Sequence, residues 1–157
     1  MKHTKPKVKF DLKQPIQFLA LGFGSGLAPK APGTFGTLAA IPPFLLLSML
    51  TPIAYVLAVV IVCIVGIYIC GKAADDVGVH DHPAIVWDEF AGYFITMIMV
   101  PISWQSIVVG FVLFRIFDIL KPWPISFIDK KISGGLGIML DDILAGIFSL
   151  IIMQLVF

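Results

Sequence analysis

The sequence predicts an all-α fold: a polytopic helical membrane protein with about five membrane-embedded helices and a short N-terminal interfacial or re-entrant segment. Three observations carry this expectation. Of 157 residues, 59% are hydrophobic and 13% charged, with a mean hydropathy of +0.99. Soluble domains run about 45–50% apolar and about 25% charged, and a core of this length leaves much of its surface facing water, so the excess points to a bilayer as solvent. The 11 basic and 10 acidic side chains are confined to residues 2–13, 30, 72–89 and 115–142. The runs 34–71, 90–114 and 143–157 carry no charge at all, and a spanning helix needs about 17–25 such residues.

The elements follow in order. Residues 1–13 form a basic arm with Lys2, Lys5, Lys7, Lys9 and Lys13. No compact apolar core with a small-residue cleavage site follows it, so the arm reads as retained on the cytoplasmic side against anionic lipid. Residues 14–29 are apolar but short and glycine-rich (Gly22, Gly24, Gly26), and read as interfacial or re-entrant. The 38 uncharged residues 34–71 divide at Thr51-Pro52 into helices near 34–50 and 53–71, because proline lacks a backbone donor and disfavours helix before it. Residues 90–114 fit either one span or a hairpin turning at 100–103, with helices over 84–100 and 104–120. The last helix runs from Gly137 to Phe157.

Topology favours the hairpin. It puts every charged segment on one side, which the lysines and Arg115 assign to the cytoplasm. A single span would set Lys121, Lys130 and Lys131 opposite the N-terminal lysines. Trp87, Trp104 and Trp123 fall at the expected boundaries and read as interface anchors. Residues 1–157 form one domain without internal repeats. A formal net charge of +1 points to no nucleic-acid partner, and nothing in the pattern requires a protein partner. Cys63 and Cys70 share one helical face and match no metal or disulfide spacing, so they read as lipid-facing or packing residues.

Ionisable groups inside membrane segments are costly and mark functional sites. Asp88 and Glu89 are expected about one turn into the third helix, Arg115 and Asp118 near the end of the fourth, and Asp141 and Asp142 about one turn into the fifth. All six then share one depth just inside the cytoplasmic boundary. Carboxylates brought together without cations repel strongly. A set of hard oxygen ligands suits Mg²⁺, which keeps waters and binds substrate phosphate. Asp88, Glu89, Asp141 and Asp142 are the expected metal ligands; Asp88, Glu89, Asp118 and Asp142 are the expected catalytic set. Helix N-capping accounts for Asp141 and partly for Asp88, but not for Asp118 near a C-terminal end.

Phosphate needs cations and backbone donors. Lys30-Ala-Pro-Gly-Thr34 offers a lysine, a turn and a helix start, so Lys30, Thr34, Arg115 and Lys121 are the expected substrate-binding residues. Arg115 fits equally as the salt-bridge partner of Asp118. Asp75 and Asp76 read as solvated, and His80-Asp81-His82 as an ordinary loop. The chain has no Cys-x5-Arg loop and no Asp-x-Asp pair, which removes thiolate and haloacid-type phosphatase chemistry. A transporter would carry its charges at the bilayer midplane, whereas these gather at one face.

Three blocks carry a family resemblance: GFGSGLAPKAPGTFGTLAAIP (22–42), DHPAIVWDEFAGYFIT (81–96) and GFVLFRIFDILKPWPISFIDKKISGGLGIMLDDILAGIFS (110–149). Over these, about half of its length, the chain closely resembles the phosphatidylglycerophosphatase A family. The resemblance implies a Mg²⁺-dependent hydrolase of the bacterial inner membrane. Its implied substrate is phosphatidylglycerophosphate, and its products are phosphatidylglycerol and phosphate. Phosphatidic and lysophosphatidic acid are implied as minor substrates. The family's acidic positions correspond to Asp88, Glu89, Asp118, Asp141 and Asp142.

Overall fold

The computed structural model describes residues 9–79 and 82–157. Most of the basic arm and the pair His80-Asp81 lie outside the described residues. Among the described residues seven α-helices follow in order: α1 (Pro15–Ala20), α2 (Pro32–Leu47), α3 (Pro52–Val77), α4 (Trp87–Thr96), α5 (Trp104–Leu120), α6 (Ile125–Lys131) and α7 (Gly134–Val156). A single 3₁₀ turn, Ser25–Leu27, lies between α1 and α2. No strand occurs among the described residues, so the all-α expectation holds.

Local chemistry sets most helix ends. Thr51 Oγ1 accepts from the Ala54 N–H at 3.3 Å with Pro52 opening α3, and Gly78 closes it in the left-handed conformation at φ 72°. Ser103 and Ser106 form a reciprocal capping box at the start of α5. Residues 97–103 separate α4 from α5, as the hairpin reading requires.

The span count needs correction. Among the described residues two helices, not five, are long and apolar enough to cross a membrane: Pro52–Val77 and Gly134–Val156. α2 has 16 residues and α5 has 17. α4 is cut to 10 residues by a tertiary contact at its start and a backbone turn after its end. The Val86 N–H donates to the Ala20 carbonyl at 2.8 Å instead of extending the helix upstream. Downstream, Met99 adopts a left-handed φ of 55°. Residues 15–27 form only six residues of helix and a 3₁₀ turn joined through left-handed Gly22, Phe23 and Gly24, too short to span.

α4 lies at the centre, packed on α2, α3, α5 and α7, while α7 also touches α3 and α6. Phe44, Tyr55, Phe90, Tyr93, Phe94 and Phe114 fill the core around it. A smaller cluster joins Ile69, Cys70, Ile138 and Met139, so Cys70 is a packing residue. Trp87 is a second correction. Its indole N–H donates to the Val62 carbonyl at 3.1 Å, midway along α3, because a half-buried indole among apolar neighbours needs an acceptor. It ties α4 to α3 rather than anchoring at an interface; Trp104 and Trp123 remain exposed.

Candidate active site

Three helices deliver the acidic residues. Asp88 and Glu89 sit in the first turn of α4, where the helix dipole favours negative charge. Arg115 and Asp118 belong to the last two turns of α5. Asp141 and Asp142 lie on α7, which starts at Gly134, so they are two turns in rather than one. The dipole acts within the first turn, so capping does not account for Asp141.

Asp88, Glu89, Asp141 and Asp142 are all buried, with 6%, 9%, 3% and 1% of their surface exposed. One carboxylate oxygen from each of Asp88, Glu89 and Asp142 lies within 4.8 Å of the other two. Asp118 is near enough to Asp142 for the two negative charges to interact. Four atoms of the group, Asp88 Oδ1, Glu89 Oε2, Asp141 Oδ1 and Asp142 Oδ2, are buried without a hydrogen-bond partner. Buried polar atoms are nearly always paired, and unpaired buried anions are costlier still. The donor set therefore fits a hard divalent cation such as Mg²⁺, whose charge would satisfy oxygens that no described residue satisfies.

Two cations flank the acids. Arg115 pairs closely with Asp118 and lies 3.9 Å from Glu89 Oε1. Its Nε is buried without a partner. Lys121 ends α5 in the left-handed conformation at φ 47°, with its Nζ 3.3 Å from Asp141 Oδ2 and 3.9 Å from Asp129 Oδ1. Burial weighs against the Lys121 charge, but Asp141, Asp118, Asp129 and Asp142 outweigh it and hold the ammonium above its usual range.

The structure thus brings Asp88, Glu89, Asp118, Asp142 and Arg115 together, with Asp141 and Lys121 paired beside them. Lys30 is exposed and makes no side-chain bond among the described residues; Thr34 is half-buried in the first turn of α2. That turn has no side-chain cap, since its N-cap is Ala31. Asp129 on α6 was not among the expected site residues: in Asp-Lys-Lys it looks like a solvated charge, and only the fold of α6 against α7 turns it towards Lys121.

A fold of short and long apolar helices that gathers buried carboxylates into one cluster, flanked by an arginine and a lysine, defines the class: a helical protein with, among its described residues, a single buried acidic centre. Within that class, the model of the family "Phosphatidylglycerophosphatase A" matches residues 18–157, and the chain belongs to this family. It is 49% identical to phosphatidylglycerophosphatase A of Escherichia coli over 144 residues, covering 91% of this chain and 84% of the relative. It is 48% identical to phosphatidylglycerophosphatase A of Haemophilus influenzae over 97% of this chain and 94% of the relative. A relative in Bacteroides thetaiotaomicron, by its name a candidate phosphatidylinositol-3-phosphatase, is 37% identical over 85% of this chain and 88% of its own length. No solved structure matches the chain.

Proposed function

We propose that the protein is a Mg²⁺-dependent lipid phosphatase that hydrolyses phosphatidylglycerophosphate to phosphatidylglycerol and phosphate in phospholipid biosynthesis. It would act in the bacterial inner membrane, with its site at the cytoplasmic boundary. The observation that carries this reading is the trio Asp88, Glu89 and Asp142, buried together with unsatisfied oxygens beside Arg115. Family membership supports the reaction and substrate.

Asp88, Glu89 and Asp142 would hold the metal, with Asp141 the fourth ligand or the partner that presents Lys121. A Mg²⁺ ion there would supply Lewis-acid polarisation of the phosphoryl group and would make nearby water more acidic. Arg115 and Lys121 neutralise the terminal phosphate, and Lys30 and Thr34 approach it from the start of α2. In hydrolysis, a water oxygen bonds to phosphorus while the ester P–O bond to the glycerol breaks. The water gives up a proton and the leaving oxygen gains one. Asp118 is committed to Arg115 by the close ion pair, which favours orienting that arginine over serving as base.

Membrane residence rests on the two long apolar helices and on the apolar side chains that α3 leaves exposed, among them Ile53, Leu57, Ile61 and Ile64. The acyl chains would stay in the bilayer while the headgroup reaches the acids from its edge.

The test is phosphate release by the purified protein in detergent from phosphatidylglycerophosphate, with phosphatidic acid alongside, in Mg²⁺ and in EDTA. Release that needs Mg²⁺ and is lost in a folded Asp142→Asn variant is the expected result. A folded, Mg²⁺-supplied wild type inert on both lipids would overturn the assignment.

A further inference from the structure

Pro32 and Gly33 open α2, and the backbone of that turn passes over the Arg115 guanidinium. A Cβ added at Gly33 would stand 3.0 Å from both terminal guanidinium nitrogens and 3.1 Å from Glu89 Oε1. Favourable non-bonded contact lies nearer about 3.5–4.0 Å, so a side chain there would push the guanidinium back by a few tenths of an ångström. The guanidinium has little room to yield: its side chain is 14% exposed, and it is held by Asp118 with Glu89 beside it.

Local backbone chemistry does not explain the glycine. Gly33 is not among the glycines with positive φ, so alanine can adopt its conformation, and alanine is the better helix former. Space remains as the explanation. We propose that Gly33 is a positioning residue: its bare Cα lets α2 approach the Arg115 guanidinium and so sets where Arg115 meets the substrate phosphate. The inference rests on the phosphate-binding role given to Arg115 above.

The experiment measures kcat, KM and melting temperature in detergent at saturating Mg²⁺ for wild type, Gly33→Ala, Arg115→Lys and the double variant. A misplacement of 1 Å costs about 100-fold, so a few tenths should cost about fivefold in kcat/KM. The loss should appear mainly in KM, with no fall in melting temperature. The narrower lysine head leaves room for a methyl group. Adding Gly33→Ala to Arg115→Lys should therefore change kcat/KM by less than about twofold, the non-additivity that marks residues acting through one another. The melting temperature should also gain more from the alanine in the lysine background, a comparison that serves even if Arg115→Lys turns over too slowly to assay.

An unchanged KM in Gly33→Ala overturns the proposal, and so does an equal loss in both backgrounds. If Gly33→Ala alone does not fold, a double variant that folds supports the proposal and one that also fails overturns it. A wild type inert on every lipid phosphomonoester overturns this proposal together with the phosphatase reading, whereas an active wild type with an indifferent Gly33→Ala overturns this one alone.

Discussion

Asp142 has one oxygen buried without a partner and lies against Asp88, Glu89 and Asp118. Replacing it with asparagine removes a negative charge from a crowded group, so Asp142→Asn should melt no lower than wild type in EDTA. Wild type should gain about 2.7 kcal/mol when Mg²⁺ reaches 100 times its Kd, and the variant should lose that gain. Because even outer-shell changes cost metal sites about 10–100-fold, this one should lower activity by about 100-fold or more. Thermal melts across a Mg²⁺ titration, beside the phosphate assay, check both expectations. Arg115 predicts the opposite sign. Arg115→Met strands Asp118 and Glu89 without their cation, and breaking a buried pair from one side costs about 3–5 kcal/mol, so this variant should melt lower as well as lose activity. The acids and Arg115 were legible in the sequence because charges are conspicuous in apolar runs. Gly33 was not, because its meaning is the distance between two helices, and Asp129 was not, because its role depends on where a seven-residue helix docks.

At the scale of elements, the site depends on how closely α4 and α7 approach. A Cβ at Gly146 would meet the Gly92 carbonyl oxygen at 2.6 Å and Ile95 Cβ at 3.1 Å, so the two backbones touch one turn along α7 from Asp142. Small residues are what permit such an approach. Gly146→Ala should overpack the contact at about 1–3 kcal/mol and move Asp142 away from Asp88 and Glu89. A fall in melting temperature with weaker Mg²⁺ protection is the expected outcome; unchanged values for both would remove α4–α7 spacing as the determinant of the cluster. A different contact, at the start of α4, explains what hydropathy misread. Ala84, Ile85 and Val86 are as apolar and buried as a helix interior, yet the Val86 N–H is taken by Ala20. A reading based on hydropathy therefore extends α4 upstream of its true start. α5 was legible to the residue over 104–120 because its limits are written locally, in the turn at 100–103 before it and the Lys121-Pro122 pair after it.

For the whole molecule, α2, α3, α4, α5 and α7 begin and end so that Lys30, Lys72, Asp75, Asp88, Lys121, Asp129 and Lys130 stand at the same ends of successive helices, while the turns at 48–51 and 97–103 carry no charge. Composition made the apolar character plain, but α2, α4 and α5, with 16, 10 and 17 residues, are shorter than the about 20 residues of a full span. A chain of this kind can sit across a bilayer only if its long helices, α3 and α7, cross it and the shorter ones pack between them. That arrangement puts the turn before α5 on one side and α6 on the other. With lysines favouring the cytoplasm, Gln105→Cys should react with a membrane-impermeant maleimide added outside spheroplasts. Lys130→Cys should react only after permeabilisation, and wild type, with Cys70 buried and Cys63 half-buried on α3, supplies the background. The opposite labelling would invert the orientation and move the acidic site to the outer face. Equal protection of both positions would mean that the long helices do not cross, and the acyl chains would then have to reach the site from a single surface.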